Sequence, residues 1–266
     1  MMDIYDGLYV IWGLFFLIFG ICVGSFSNVL IYRLPRAQSV NFPPSHCTKC
    51  GKTLKFYHNV PLLSWLFLRG RCAFCKAKIS PIYPLVEATS GALMLLCFYK
   101  ECGDMLNIQT LASAVLLGLC FIMLLALSLI DIKFKAVPDV LLFAALGFAL
   151  IYAACEILWF GDFSAFINAC GFAFGFWLLR LIVSAAMKKE AMGSADIFIA
   201  AIIGAVLPLK LALFAVYLAA ILTLPVYALV RKSGYELAFV PFLSAGLVTT
   251  YVFDTEILNF IKMLYE

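Results

Sequence analysis

Acids are scarce in this chain, 15 Asp and Glu in 266 residues, and two of them, Asp131 and Asp196, stand at the edges of long apolar segments. A carboxylate beside or inside a bilayer is costly and is a functional candidate for that reason. Two together suggest a shared proton, because neighbouring carboxylates cannot both ionise cheaply. One would take a proton from a water attacking a carbonyl. The other, protonated, would hydrogen-bond that carbonyl and then protonate the leaving group. No metal is needed for this chemistry.

A second set of residues has metal-ligand spacing. Cys47-Thr48-Lys49-Cys50 and Cys72-Ala73-Phe74-Cys75 form a C-x2-C-x21-C-x2-C pattern. Each C-x-x-C turn can present two thiolates to one tetrahedral Zn²⁺, and two turns complete a closed site. With no open position, such a zinc is structural. The competing readings are disulfides, redox pairs and unligated thiols; a cytoplasmic location argues against disulfides. His46 adjoins Cys47 and could replace or support a ligand, although a surface polar role is the simpler reading for it and for His58. The other six cysteines are scattered along apolar segments and read as small apolar filler.

The elements that must position these residues follow from composition. The chain is 65% hydrophobic and 13% charged, with a mean hydropathy of +1.05. A soluble domain is about half apolar and about a quarter charged, so the composition specifies an all-α polytopic membrane protein. Apolar runs at 8–31, 82–99, 109–130, 138–160, 163–187, 197–208, 211–230 and 238–253 predict about eight transmembrane helices, the sixth and eighth short. The first lacks a basic leader and an obvious cleavage site and reads as a retained helix. Residues 1–32 are thus a first transmembrane helix, 33–80 a cytoplasmic loop and 81–266 a membrane core. A loop of that size folds alone only marginally, and a metal would supply the missing stability. No internal repeat is visible.

Residues 33–80 hold nine Lys and Arg and no acid. With Lys133, Lys135, Lys188, Lys189, Arg231 and Lys232 on the same side, 15 of the 19 basic residues collect there. The positive-inside rule makes that side cytoplasmic and places Asp131 and Asp196 at the same face. The net charge of +4 therefore reflects loop topology and gives no reason to expect nucleic acid.

Each aspartate has a local context. Asp131 ends the third span; a short turn leads to Pro138-Asp139, which opens the fourth. Pro suits a first helical turn, and Asp139 reads as a dipole or capping partner there. Asp196 follows Gly193-Ser194-Ala195, small residues that permit close approach to a peptide.

Taken together, the motifs resemble those of the type IV prepilin leader peptidases, also called type 3 prepilin peptidases, which are membrane aspartyl proteases of the GxGD type. The resemblance covers nearly the whole chain: Gly24-Ser25-Phe26-Ser27-Asn28 through Arg33-Leu34-Pro35, the paired C-x-x-C loop with Asn59-Val60-Pro61 and Tyr83-Pro84-Leu85-Val86-Glu87, Ile130-Asp131 with Val137-Pro138-Asp139, and Glu236 through Pro241-Phe242-Leu243. It implies that Asp131 and Asp196 are the catalytic pair. The family's Gly-x-Gly-Asp reads Gly193-Ser194-Ala195-Asp196 here, an exchange that matters if position 195 needs a positive φ.

The resemblance further implies cleavage of prepilins and pseudopilins after a Gly, at the cytoplasmic face of the bacterial inner membrane. The cysteine loop implies a bifunctional enzyme that also N-methylates the new N-terminus with S-adenosylmethionine. Motif position offers Asn28, Arg33, Asn59, Gly70 and Glu87 for the methyl donor. Asp131, Asp139, Asp196, Glu87, Glu190 and Glu236 are the acids available to receive a cationic leader. The alternatives are a peptidase without methyltransferase activity, a metal transporter with a cysteine sensor loop, and an assembly scaffold.

Overall fold

The computed structural model describes residues 2–103, 105–188, 193–230 and 237–265. Lys189, Glu190, Met192, Arg231, Lys232 and Glu236 lie outside them. Among the described residues the fold is helical, with two isolated β-bridges in place of any sheet. The chain divides into two compact units, residues 1–118 and 119–266.

In the first unit, α1 (Met2–Arg33) and α3 (Ile82–Cys102) pack side by side. Their backbones approach closely at glycines. A Cβ on Gly20 would lie 2.7 Å from the Ser90 carbonyl, and one on Gly91 would lie 2.6 Å from Ile21. Small residues at helix crossings drive association in lipid, where apolar burial alone contributes little. Between these helices the chain forms the cysteine loop, which includes two 3-10 turns (Leu34–Arg36 and Phe56–His58) and one short α-helix, α2 (Leu63–Phe67). The unit ends inside α4 (Ile108–Phe134).

The second unit holds the end of α4 and then α5 (Asp139–Phe160), α6 (Ser164–Met187), α7 (Ser194–Val206), α8 (Leu209–Val230), α9 (Val240–Val252) and α10 (Asp254–Tyr265). Its centre is α7, which packs on α5, α6, α8 and α9. Residues 199–207 are buried without interruption. A helix hydrophobic all round must be covered all round.

All eight apolar segments read from the sequence are helices. Six are long and apolar enough to cross a membrane, which makes this a multi-pass membrane protein. The sixth and eighth segments are α7 and α9, of 13 residues each. At 1.5 Å per residue each is about 20 Å long, short of the ~30 Å hydrocarbon core. These two short helices begin next to the candidate aspartates. The helix α10 is strongly amphipathic and lies beyond the last predicted span.

Candidate functional site

The end of α4 positions Asp131. Lys135 adopts a left-handed φ of 53°, and its N–H bonds to the Asp131 carbonyl at 3.0 Å. That stops the helix and leaves Asp131 in its last turn, 7% exposed. The Asp131 carboxylate accepts the backbone N–H of Val240, and Lys135 adds a nearby positive charge. Val240 is the first residue of α9, where N–H groups have no partner within the helix.

Asp196 uses the same device. Gly193 is the N-cap of α7, so Asp196 is the third residue of the helix. Its carboxylate accepts the Gly193 N–H and lies 3.4 Å from where a Gly193 Cβ would stand. A carboxylate at this position reaching back to the N-cap N–H is half of a capping box. Asp196 is 6% exposed, and the charges of Asp131 and Arg180 both act on it. Arg180, a charged residue within α6, lies within electrostatic reach of Asp196.

The helix α7 reaches this position through a tight crossing. A Cβ on Gly204 would stand 2.5 Å from the Asn168 carbonyl oxygen of α6. Asp131 and Asp196 are the buried acids of the second unit among the described residues. Asp139, by contrast, is exposed in the first turn of α5. Ala195 lies within α7 and has a negative φ, as does Gly193 at −66°. The exchange of Gly for Ala at 195 therefore imposes no backbone strain.

In the first unit the two cysteine turns have one conformation. Gly51 N–H bonds to Cys47 O and Lys76 N–H to Cys72 O; Cys47 N–H bonds to Lys52 O and Cys72 N–H to Ala77 O. Bridges pair His46 with Thr53 and Arg71 with Lys78. Each bridge joins the residue before a turn's first cysteine to the third residue after its second. The loop thus repeats one backbone turn at its two C-x-x-C segments, although the chain at large shows no internal sequence repeat. Left-handed residues close both turns, Gly51 at φ 70° and Lys76 at φ 59°.

This repeat gathers all four sulfurs within 4.8 Å of one another, with Cys47 Sγ and Cys75 Sγ 3.8 Å apart. Four sulfurs at about 2.3 Å from a tetrahedral ion would stand about 3.8 Å apart, so the cluster fits a metal. The thiols divide protons unequally. Cys47 is pulled down to about 6, led by the backbone N–H of Cys50, with the Lys49 N–H and neighbouring sulfurs adding to it against burial. Cys75 is pushed up to about 11, because burial and three sulfurs together outweigh the Ala77 N–H. His46 is no part of the cluster; its Nδ1 lies 3.0 Å from the Pro44 carbonyl.

Beside the cluster lies a cavity of about 410 Å³. Asn28, Arg33, Asn59 and Glu87 line it; Gly70 does not. Asn28 Nδ2 donates to the Tyr83 carbonyl at 3.0 Å. Arg33 donates to the carbonyls of Ser39, Val40 and Pro43 and so clamps the start of the loop. Gly70, at φ 65°, lets the chain turn against Trp65, whose ring would be 2.9 Å from a Cβ there. Glu87 Oε2 accepts the Leu62 N–H at 2.7 Å.

Comparison with known proteins gives a consistent result. The family model for the Bacterial Peptidase A24 N-terminal domain matches residues 18–101, and that for the Type IV leader peptidase family matches residues 118–228. A prepilin leader peptidase/N-methyltransferase of Myxococcus xanthus is 36% identical over 207 residues, 74% of this chain and 56% of that protein. The chain thus matches little more than half the length of this relative. A type 4 prepilin-like proteins leader peptide-processing enzyme of Escherichia coli is 34% identical over 253 residues, 87% of this chain and 90% of that one. A prepilin leader peptidase/N-methyltransferase of Vibrio cholerae is 31% identical over 251 residues, 89% and 93% of the two chains. No solved structure matches the chain. With motifs, helices and two family models in register along its length, the chain belongs to the type IV leader peptidase family.

Proposed function

We propose that this protein cleaves the leader peptide of prepilins and pseudopilins after a Gly and then N-methylates the exposed N-terminus. The observation that carries the reading is the pair of buried acids, Asp131 and Asp196, each tied to the N-terminus of a short helix and acting on one another. One carboxylate accepts a proton from water as it attacks the scissile carbonyl. The other, protonated, donates to the carbonyl oxygen and then to the leaving amine, and the pair returns to its starting state. The two carboxylates titrate as a unit.

The charge asymmetry of the loops supports an inner-membrane protein with both aspartates and the cysteine loop at the cytoplasmic face. In this arrangement residues 1–32 form the first span, 33–80 the zinc-binding loop and 81–266 the protease core. A prepilin's apolar stem would lie along the membrane core, with its leader junction at that face. Glu190 and Glu236, offered by the sequence as acids for the leader, lie outside the described residues.

Zinc fits Cys47, Cys50, Cys72 and Cys75, since thiolates suit it and the site is closed. With all four positions taken by cysteines, such a metal would hold the loop folded and leave the peptide chemistry to the aspartates. S-adenosylmethionine, when bound, supplies the methyl group. Asn28, Arg33, Asn59 and Glu87, which line the cavity of the first unit, are the residues that would hold it. The cavity in the first unit has the volume of a small-ligand site, which spans about 300–1,000 Å³.

The test is incubation of the purified enzyme with a prepilin, reading cleavage and N-terminal mass together. Cleavage with a gain of one methyl group is expected. Cleavage with an unmodified N-terminus would reduce the protein to a peptidase alone, and intact prepilin would defeat the reading.

A further inference from the structure

We propose that Arg180 of α6 is the counter-ion of the aspartate pair, a positioning residue that acts on the reaction through Asp196. The proposal rests on the two-aspartate reading above.

The geometry of α6 singles Arg180 out. Most of this helix faces outward: Trp177, Leu178, Leu179, Leu181 and Ile182 are all exposed. The side chains withdrawn from the surface recur every three or four residues, at Ala169, Phe172, Phe176, Arg180 and Ser184. That spacing traces one face of a helix. It is the face that packs on α7, because a Cβ on Gly204 would meet backbone atoms of Asn168 and Ala169 within 2.9 Å. Arg180 therefore continues the stripe turned toward α7, while Leu179 and Leu181 on either side of it point away.

The register of the two helices brings this charge to the acid. At the Gly204 crossing the start of α6 meets the end of α7, so the helices run antiparallel. Eight residues back along α7 from Gly204 stands Asp196, and eight residues on along α6 from Asn168 stands Phe176. Asp196 is thus level with Phe176. Arg180 lies one turn further on the same face, about 6 Å along the axis at 1.5 Å per residue. A long arginine side chain covers that interval. The charges of Arg180 and Asp131 both act on Asp196.

The chemistry gives the reason for a cation here. Two carboxylates that share one proton carry one net negative charge, and in a water-poor site that charge is costly unless a cation faces it. Lys135, beyond the end of α4, acts on Asp131. Arg180 serves the other carboxylate. The other helices packed on α7 bring no cation to the Asp196 end. From α5 come Asp139, exposed at its start, and Tyr152, Cys155 and Glu156 near its end. From α8 come Lys210, next to the far end of α7, and the exposed Tyr217 and Tyr227. From α9 comes Tyr251 in its last turn. Lys188 caps the end of α6 and is exposed.

The test is the pH–rate profile of prepilin cleavage by wild type, Arg180→Met and Arg180→Lys at equal enzyme concentration. Met removes the charge, keeps a long side chain and suits a membrane helix. A cation favours the ionised form of a neighbouring carboxylate, so its removal should move the acid limb of the profile up by about one pH unit. Below the limb Arg180→Met should then cleave about tenfold more slowly than wild type, and on the plateau within about twofold of it. Arg180→Lys keeps the charge and should keep the wild-type limb. Wild-type rates at every pH in Arg180→Met overturn the assignment. So does an equal fall of both variants with an unmoved limb, which makes Arg180 a packing residue. Failure of Arg180→Met to accumulate in the membrane also overturns it, since the charge would then serve folding. Wild type that leaves prepilin intact defeats the two-aspartate reading instead, so the two failures are distinct.

Discussion

The carboxylate of Asp131 accepts the backbone N–H of Val240, so the last turn of α4 is tied to the first residue of α9. Asp196 makes the matching bond to Gly193 at the start of α7. Both candidate acids are therefore held by a helix N-terminus, where unpaired N–H groups and the helix dipole favour negative charge. Burial acts against that charge. A dyad that must pass a proton back and forth needs both influences.

Asp139 belongs to the same sequence motif as Asp131 but is exposed at the opening of α5. Asp139→Asn should retain prepilin cleavage within about twofold, with a stability change inside the ±0.5 kcal/mol usual for surface sites. Cleavage assays on membranes containing the variant check this. A loss as deep as that of an Asp131 variant would move Asp139 into the reaction.

Ala195 occupies the second turn-forming position of a motif that elsewhere has Gly, yet it is helical here. Ala195→Gly should leave cleavage nearly unchanged and lower stability by about 0.5–1 kcal/mol, the usual cost of Gly in a helix. A melting curve and a cleavage rate on the same preparation measure both.

The helix crossing at Gly204 sets the position of α7 and thus of Asp196. A Cβ there meets backbone atoms of Asn168 at 2.5 Å, so Gly204→Ala should destabilise the second unit by about 1–3 kcal/mol and depress cleavage. Gly147→Ala is the control, since a Cβ at Gly147 meets nothing within 4 Å. Equal behaviour of the two variants would contradict the packing argument.

The metal site predicts a separable effect. Cys47→Ser or Cys72→Ser should abolish binding of about one zinc per chain and expose residues 33–80 to protease, because the metal supplies the folding energy of a small loop. Elemental analysis and limited proteolysis read the two consequences. A variant that retains zinc and resists proteolysis would show that the cluster is not the metal site.

The helical architecture was legible because apolar runs of membrane length have few other solutions. The cysteine cluster was legible because its spacing encodes a ligand set. The roles of Arg33 and Glu87 were not. Arg33 reads as one more basic loop residue until its three carbonyl partners, 6 to 10 positions along the chain, are seen. Glu87 contacts Leu62, 25 residues away, and nothing local marks that pairing. The second cysteine turn repeats the first in backbone bonds, while their intervening residues, Thr48-Lys49 and Ala73-Phe74, share no side-chain chemistry. Asp131 and Asp196 were legible as a candidate acid–base pair at one face; their anchoring at Val240 and Gly193 needed the fold.

The most direct measurement is prepilin cleavage by Asp131→Asn and Asp196→Asn, each compared with wild type at equal membrane abundance. Asn keeps the size of the side chain and can still accept the Val240 or Gly193 N–H, so only the acid–base function is removed. Each single substitution is expected to abolish cleavage while the protein remains folded in the membrane. Cleavage at the wild-type rate by either variant would contradict the two-aspartate account.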